Sequence, residues 1–261
     1  MLRALRAELP AENFVYLGDT ARLPYGTKSR DSVVRYSVQA ADALVDRGIK
    51  CLVVACNTAS AFALEALRDR FAPLPVIGVI EPGAEAACAA SRSGRIAVIA
   101  TEGTVQGGAY PRAIARRLPS AEVITRACPL FVALAEEGWI DGPIVEAIAR
   151  RYLEPIFGGQ PPIAGRAELP PDVLLLGCTH FPVLAGALRA VLGAGVAIVD
   201  SALTTAHAVF AELQSRALLN SARAAGRTVL LATDGAERFA RVGGGFFGAA
   251  LAPGDIEIID L

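Results

Sequence analysis

Val173-Leu174-Leu175-Leu176-Gly177-Cys178-Thr179-His180-Phe181-Pro182 is the stretch that decides the fold. An unbroken apolar run of strand length reads as a parallel strand buried on both faces, and this one stops abruptly at small and reactive residues. In open α/β sheets ligands bind beyond the carboxyl ends of the strands, so the thiol, hydroxyl and imidazole of Cys178, Thr179 and His180 are presented to one crevice. The design recurs at Cys51-Leu52-Val53-Val54-Ala55-Cys56-Asn57-Thr58-Ala59-Ser60, an apolar strand that ends in a cysteine, two polar residues and a helical pattern. Two strand-end cysteines, about half a chain apart, are the main clue to function.

Outward from these two stretches the chain alternates between strand and helix patterns. Strands are expected at 14–17, 51–55, 76–80, 96–100, 122–125, 173–176, 196–199, 228–232 and 256–259. Helices are expected at about 2–9, 31–47, 59–70, 83–91, 105–117, 141–157, 182–192, 201–218 and 235–242, with one more carrying Glu136 and Glu137. Such alternation implies parallel sheets wrapped by right-handed crossovers, and about nine strands over this length suit two sheets rather than one. Residues 18–29 are too long and polar for a minimal turn and read as a binding loop. The run from Gly158 to Pro171 is a Pro/Gly-rich connection.

The 261 residues are 53% hydrophobic and 20% charged, which argues against disorder, and no apolar run approaches the ~20 residues of a bilayer crossing. Residues 1–9 lack the apolar centre and cleavage site of a secretory signal, so a cytoplasmic protein is expected. A net charge of -1 with dispersed arginines argues against nucleic acid as the main partner. Five cysteines without C-x-x-C spacing, beside two histidines, suggest neither a disulfide framework nor a zinc site.

Several motifs fail on inspection. Gly243-Gly244-Gly245-Phe246-Phe247-Gly248 matches G-x-G-x-x-G but follows a helix rather than a strand, and Gly26-Thr27-Lys28-Ser29 lacks the first glycine of a phosphate loop. There is no G-x-S-x-G elbow. Cys51 and Cys88 read as small core hydrophobes, and Cys128 leans the same way. Cys56 and Cys178 differ because each is followed by an uncapped turn whose N–H groups, at the start of a helix, hold an anion and lower a thiol pKa. His180, two residues after Cys178, has a pKa range suited to exchanging protons with that thiol or with substrate.

The combination resembles the glutamate racemases of the wider aspartate/glutamate racemase family, cofactor-independent amino-acid racemases of peptidoglycan precursor supply. The resemblance spans nearly the whole chain. It rests on Gly18-Asp19-Thr20-Ala21-Arg22-Leu23-Pro24-Tyr25-Gly26, Ala55-Cys56-Asn57-Thr58-Ala59, Glu81-Pro82-Gly83, Cys128-Pro129-Leu130-Phe131-Val132 and Leu176-Gly177-Cys178-Thr179-His180-Phe181-Pro182. It implies two similar α/β domains with mainly parallel sheets flanked by helices, one of residues 1–79 and 200–261 and one of 80–199, with the active site in the cleft between them. Cys56 would deprotonate the D isomer and Cys178 the L isomer, with His180 assisting Cys178 and no pyridoxal or other cofactor. Tyr25, Gly26, Asn57, Thr58, Thr179 and His180 would bind glutamate. Pro24, Thr101, Thr104 and Glu136 are further candidates by the same resemblance. A homodimer is left open, and so is another amino acid, such as aspartate, as substrate.

One departure carries its own expectation. The family opens with a strand ending in Asp-Ser-Gly, whose Asp assists the first cysteine, and this chain begins within the ensuing helix, at Met1 and without an N-cap. The 261 residues alone are therefore expected to have much reduced or no activity and lower stability than a form extended upstream. A binding-only homologue is the competing reading.

Overall fold

The structure, a computed structural model, describes residues 1–158, 169–222 and 224–261. Most of the connection expected between Gly158 and Pro171 lies outside the described residues. The chain divides into two compact units, one of Met1–Val79 with Ala202–Leu261 and one of Ile80–Ser201. Both are α/β, with parallel strands flanked by helices.

In the unit Ile80–Ser201 four parallel strands run in the order β5-β4-β6-β7: β4 Arg95–Ala100, β5 Glu122–Ala127, β6 Val173–Gly177 and β7 Ala197–Asp200. The apolar run that opened the sequence argument is β6, buried along its whole length. Alternation divides its side chains between two cores. Val173 and Leu175 join Ile96 and Val98 beneath α5 (Ile80–Ala90) and α7 (Ala109–Arg117). Leu174 and Leu176 join Ala97 and Ile99 beneath α8 (Leu130–Glu136), α9 (Gly142–Phe157) and α10 (Ala185–Leu192). A strand covered on both faces needs no polar side, which is why this stretch has none.

The connection leaving β4 runs to β5 on one side, while that leaving β6 runs through α10 to β7 on the other. The chain therefore reverses direction across the sheet between β4 and β6. Such a switch point opens a crevice beyond the carboxyl ends of its two strands, and Cys178 follows directly on β6.

The other unit contains two parallel sheets, β1 (Phe14–Gly18) with β8 (Thr228–Ala232) and β9 (Ile256–Ile258), and β2 (Leu52–Val54) with β3 (Val76–Gly78). Strand β2 again splits its residues: Leu52 and Val54 face a core with α2 (Arg30–Val45), α3 (Asn57–Phe62) and α4 (Leu64–Phe71). Val53 and Ile77 face α1 (Leu2–Glu8) and α11 (Ala202–Ser215). The expectation of two sheets is thus corrected to three sheets among the described residues, because β1 and β2 do not pair.

Other departures have local causes. The helix expected at 59–70 is broken at Ala63 into α3 and α4, since the Ser60 hydroxyl pins α3 to the strand ends while Leu67 packs in the core beside β3. That expected at 105–117 begins earlier, at a Thr101 cap, and is divided into α6 (Glu102–Gly107) and α7 by Gly108 at φ +59°, a conformation glycine adopts without a Cβ penalty. Helix α5 starts at Ile80 rather than 83, with Pro82 in its first turn, where a missing N–H costs nothing. Helix α12, Ala236–Phe247, absorbs most of the glycine run that was read as following it. Phe239 and Phe247 pack edge-on to Tyr16 of β1, and this burial outweighs the poor helix propensity of three glycines.

Candidate active site

Beyond β6 the chain does not enter an α-helix at once. Cys178, Thr179 and His180 form a turn, Phe181–Leu184 is a 3-10 helix with Pro182 in its first turn, and α10 begins only at Ala185. The turn expected after Cys178 is present, and the helix expected from about 182 opens as this 3-10 segment, since Pro182 disfavours the α conformation at the residue before it. The turn is anchored by Phe181, fully buried and edge-on to Phe131, whose ring in turn meets Tyr152.

This anchoring sets His180 between two partners. Its Nδ1 lies 3.8 Å from Cys178 Sγ, and its Nε2 lies 2.7 Å from Oε1 of Glu136, the last residue of α8. Burial alone would push the imidazole down, but the Cys178 sulfur and the Glu136 carboxylate more than reverse this, so that His180 is pushed up to about 10. It is an imidazolium at neutral pH and donates from both nitrogens.

The strand beside β6 brings further groups to the same end of the sheet. Ala100 of β4 pairs with Gly177, and Thr101 and Thr104, which follow β4, are buried with their hydroxyls 3.0 Å apart. Below Cys178 lies Tyr110, fully buried, against whose ring a Cβ at Gly177 would come to 2.9 Å. Burial pushes its phenol up, and Cys178 adds to the effect. Thr179 is half-buried in the turn.

In the other unit Cys56 occupies the N-cap position of α3, with Asn57 and Thr58 buried in the first turn. Ser60 ties that turn to the sheet: its hydroxyl donates to the Val54 carbonyl at 2.8 Å and accepts from the Val79 N–H at 3.3 Å. Tyr25 packs in the same apolar cluster as Cys56. It opens a 3-10 turn, Tyr25–Thr27, with Pro24 exposed before it and Gly26 buried within it. The Tyr25 hydroxyl donates to Asp19 Oδ2, and burial followed by this carboxylate raises its pKa.

The remaining cysteines have thiols that burial holds in the neutral form. Cys51 is pushed up to about 11 and Cys128 to about 12, and Cys88 is raised as well. Sequence reasoning missed the roles of Asp19, Ser60, Tyr110 and Thr233, which carry no local signal of their own. Position alone showed nothing of the partners that lie far along the chain.

Parallel α/β units with thiols at their strand ends, one thiol backed by an ionised imidazole, are equipped to move protons on and off a small substrate. The chain belongs to the Asp/Glu/Hydantoin racemase family, whose model matches residues 1–211. It is 48% identical over 261 residues to the glutamate racemase of Geobacter metallireducens, a match covering 100% of this chain and 92% of the relative. Among solved structures, glutamate racemase from Francisella tularensis in complex with D-glutamate is 32% identical at a TM-score of 0.87, covering 99% of this chain and 91% of that one. The Thermus thermophilus glutamate racemase in complex with beta-chloro-D-alanine is 40% identical at a TM-score of 0.82, covering 100% and 91%.

Proposed function

We propose that this chain interconverts L-glutamate and D-glutamate without a cofactor, using Cys56 and Cys178 as paired acid/base groups, and thereby supplies D-glutamate for peptidoglycan in the cytoplasm. The observation that carries the reading is the line Cys178, His180, Glu136, a thiol with a fixed cation behind it and a carboxylate behind the cation. The 48% identity to a glutamate racemase over the whole chain supports glutamate as the substrate.

Inversion at Cα requires a proton to leave from one face and another to arrive at the opposite face. In the L to D direction the Cys178 thiolate takes the Cα proton, and the electron pair is left on Cα, delocalised into the α-carboxylate. The Cys56 thiol then donates to the other face. The two sulfurs end with exchanged protonation, ready for the reverse reaction. His180, beside the Cys178 sulfur, is the group with which that thiol exchanges its proton, and Glu136 fixes the ring in place. Tyr25, Gly26, Asn57, Thr58 and Thr179 bind the amino acid, with Pro24, Thr101 and Thr104 close to them in sequence or at a strand end. Stabilising the carbanion falls to fixed donors to the carboxylate and to the exclusion of water.

The test follows the ellipticity of D-glutamate at fixed wavelength, with the chain as it stands and with an added amino-terminal strand carrying Asp-Ser-Gly. Decay to zero in at least one form is expected. No decay in either, or equal turnover of aspartate, contradicts the reading.

A further inference from the structure

We propose that Thr233 is a positioning residue for the Tyr25–Gly26 turn, acting through Asp19; this rests on the reading of that turn as part of the substrate site. Thr233 follows β8 and is 214 residues from Asp19 in sequence. Its hydroxyl makes two bonds: it donates to Asp19 Oδ1 at 3.0 Å and accepts from the Ala21 N–H at 2.9 Å. Its own N–H donates to the Gly18 carbonyl at 3.1 Å, continuing the β1–β8 ladder past its last pair. One residue on, Thr20 Oγ1 donates to the Asp234 carbonyl at 2.5 Å and accepts from the Asp234 N–H at 2.9 Å.

Asp19 is the hub. Its side chain is 9% exposed, and it accepts from Arg22 Nε at 2.9 and 2.8 Å, from the Tyr25 hydroxyl and from Thr233. Arg22 and Tyr25 belong to the same loop as Asp19, so their bonds fix the loop's shape but not its place on the sheet. Thr233 supplies a side-chain donor to that carboxylate from outside the loop, and together with the Thr20–Asp234 pair it registers the loop against the end of β8. Tyr25 transmits this placement to the apolar cluster it shares with Cys56. A small misplacement of substrate-holding groups is costly to an enzyme whose reacting atoms must be aligned.

The two variants that test this are Thr233→Val, which keeps the shape and removes both hydrogen bonds, and Thr233→Ser, which keeps them. Both are assayed in the form of the chain that turns over glutamate. Thr233→Val is expected to raise KM for both isomers about tenfold, the scale of a lost hydrogen bond to a carboxylate, with kcat changed much less. Thr233→Ser is expected to restore KM. A Thr233→Val variant that melts at a lower temperature yet keeps the wild-type KM overturns the proposal alone, because the latch is then only structural. A wild-type chain without turnover in either form refutes the functional reading, and the proposal falls with it.

Discussion

His180 donates from Nε2 to Oε1 of Glu136 across 2.7 Å, and both side chains are largely buried, at 21% and 15% exposure. Together with the Cys178 sulfur, this carboxylate raises the imidazole. Glu136→Gln removes one of the two influences that raise the histidine, so its titration should fall below the value of about 10. The chain has only two histidines, which makes the imidazole resonances straightforward to follow by NMR. Because the folded value lies above the ordinary 6.5, the stabilisation from this cation is complete below that pH and is lost as pH rises through about 10. Turnover should fall about tenfold or more in the variant, at the low end of what a positioned acid/base group contributes. An unshifted titration would contradict the role given to Glu136.

Ser60→Ala should destabilise the chain by about 1–3 kcal/mol, the cost of leaving buried polar groups without partners. The hydroxyl bridges the Val54 carbonyl and the N–H of Val79, a fully buried residue, and so ties the Cys56 turn to both β2 and β3. Urea denaturation measures the loss; a change below about 0.5 kcal/mol, the range of ordinary surface substitutions, would show that the bridge carries no weight.

Gly177→Ala tests how tightly the Cys178 turn is seated. A Cβ there would meet Tyr110 Cε2 at 2.9 Å, the Ile99 carbonyl oxygen at 3.0 Å and Ala100 Cβ at 3.1 Å. Two of these neighbours belong to the β4 strand and cannot swing away. Overpacking of this kind costs about 1–3 kcal/mol, and thermal unfolding should show a lowered midpoint, with activity reduced because Cys178 shifts with its neighbour. A wild-type midpoint would contradict the packing described.

How much of this was legible depended on whether the signal was local. The buried strand β6 announced itself through an unbroken apolar run, and the reactive turn after it through Cys178 and His180 within three residues of one another. Helix ends were read less well, since Gly108 and Ala63 break helices for reasons that lie in backbone conformation and in the commitments of Ser60. The glycine run of α12 misled because propensity spoke against a helix that Phe239 and Phe247 hold in place from outside. Long-range pairs such as Asp19 with Thr233, and His180 with Glu136 44 residues away, left no mark on the local pattern.

Asp172 supplies a pH-dependent element away from the site. Burial acts to raise its pKa, but hydrogen bonds from Ser91 and from the N–H groups of Ser93 and Arg92 outweigh it and hold the carboxyl at about 2. With the folded value below the ordinary 3.8, its contribution is present above that pH and is lost as pH falls through about 2. Asp172→Asn should therefore be less stable than wild type at neutral pH by about 1 kcal/mol, and the gap should narrow in acid. A gap independent of pH would contradict the charge-based account.

The proposed reaction requires two sulfurs to act on one carbon from opposite sides. L- and D-glutamate have equal free energies in water, so any substitution must change kcat/KM equally in the two directions, and rates of racemisation alone cannot separate the roles of the two thiols. Exchange of the Cα hydrogen with deuterium oxide can. In Cys56→Ser and Cys178→Ser racemisation should be lost, while Cys56→Ser retains exchange into L-glutamate only and Cys178→Ser into D-glutamate only. A single variant that still racemises, or that exchanges both isomers equally, would contradict the account.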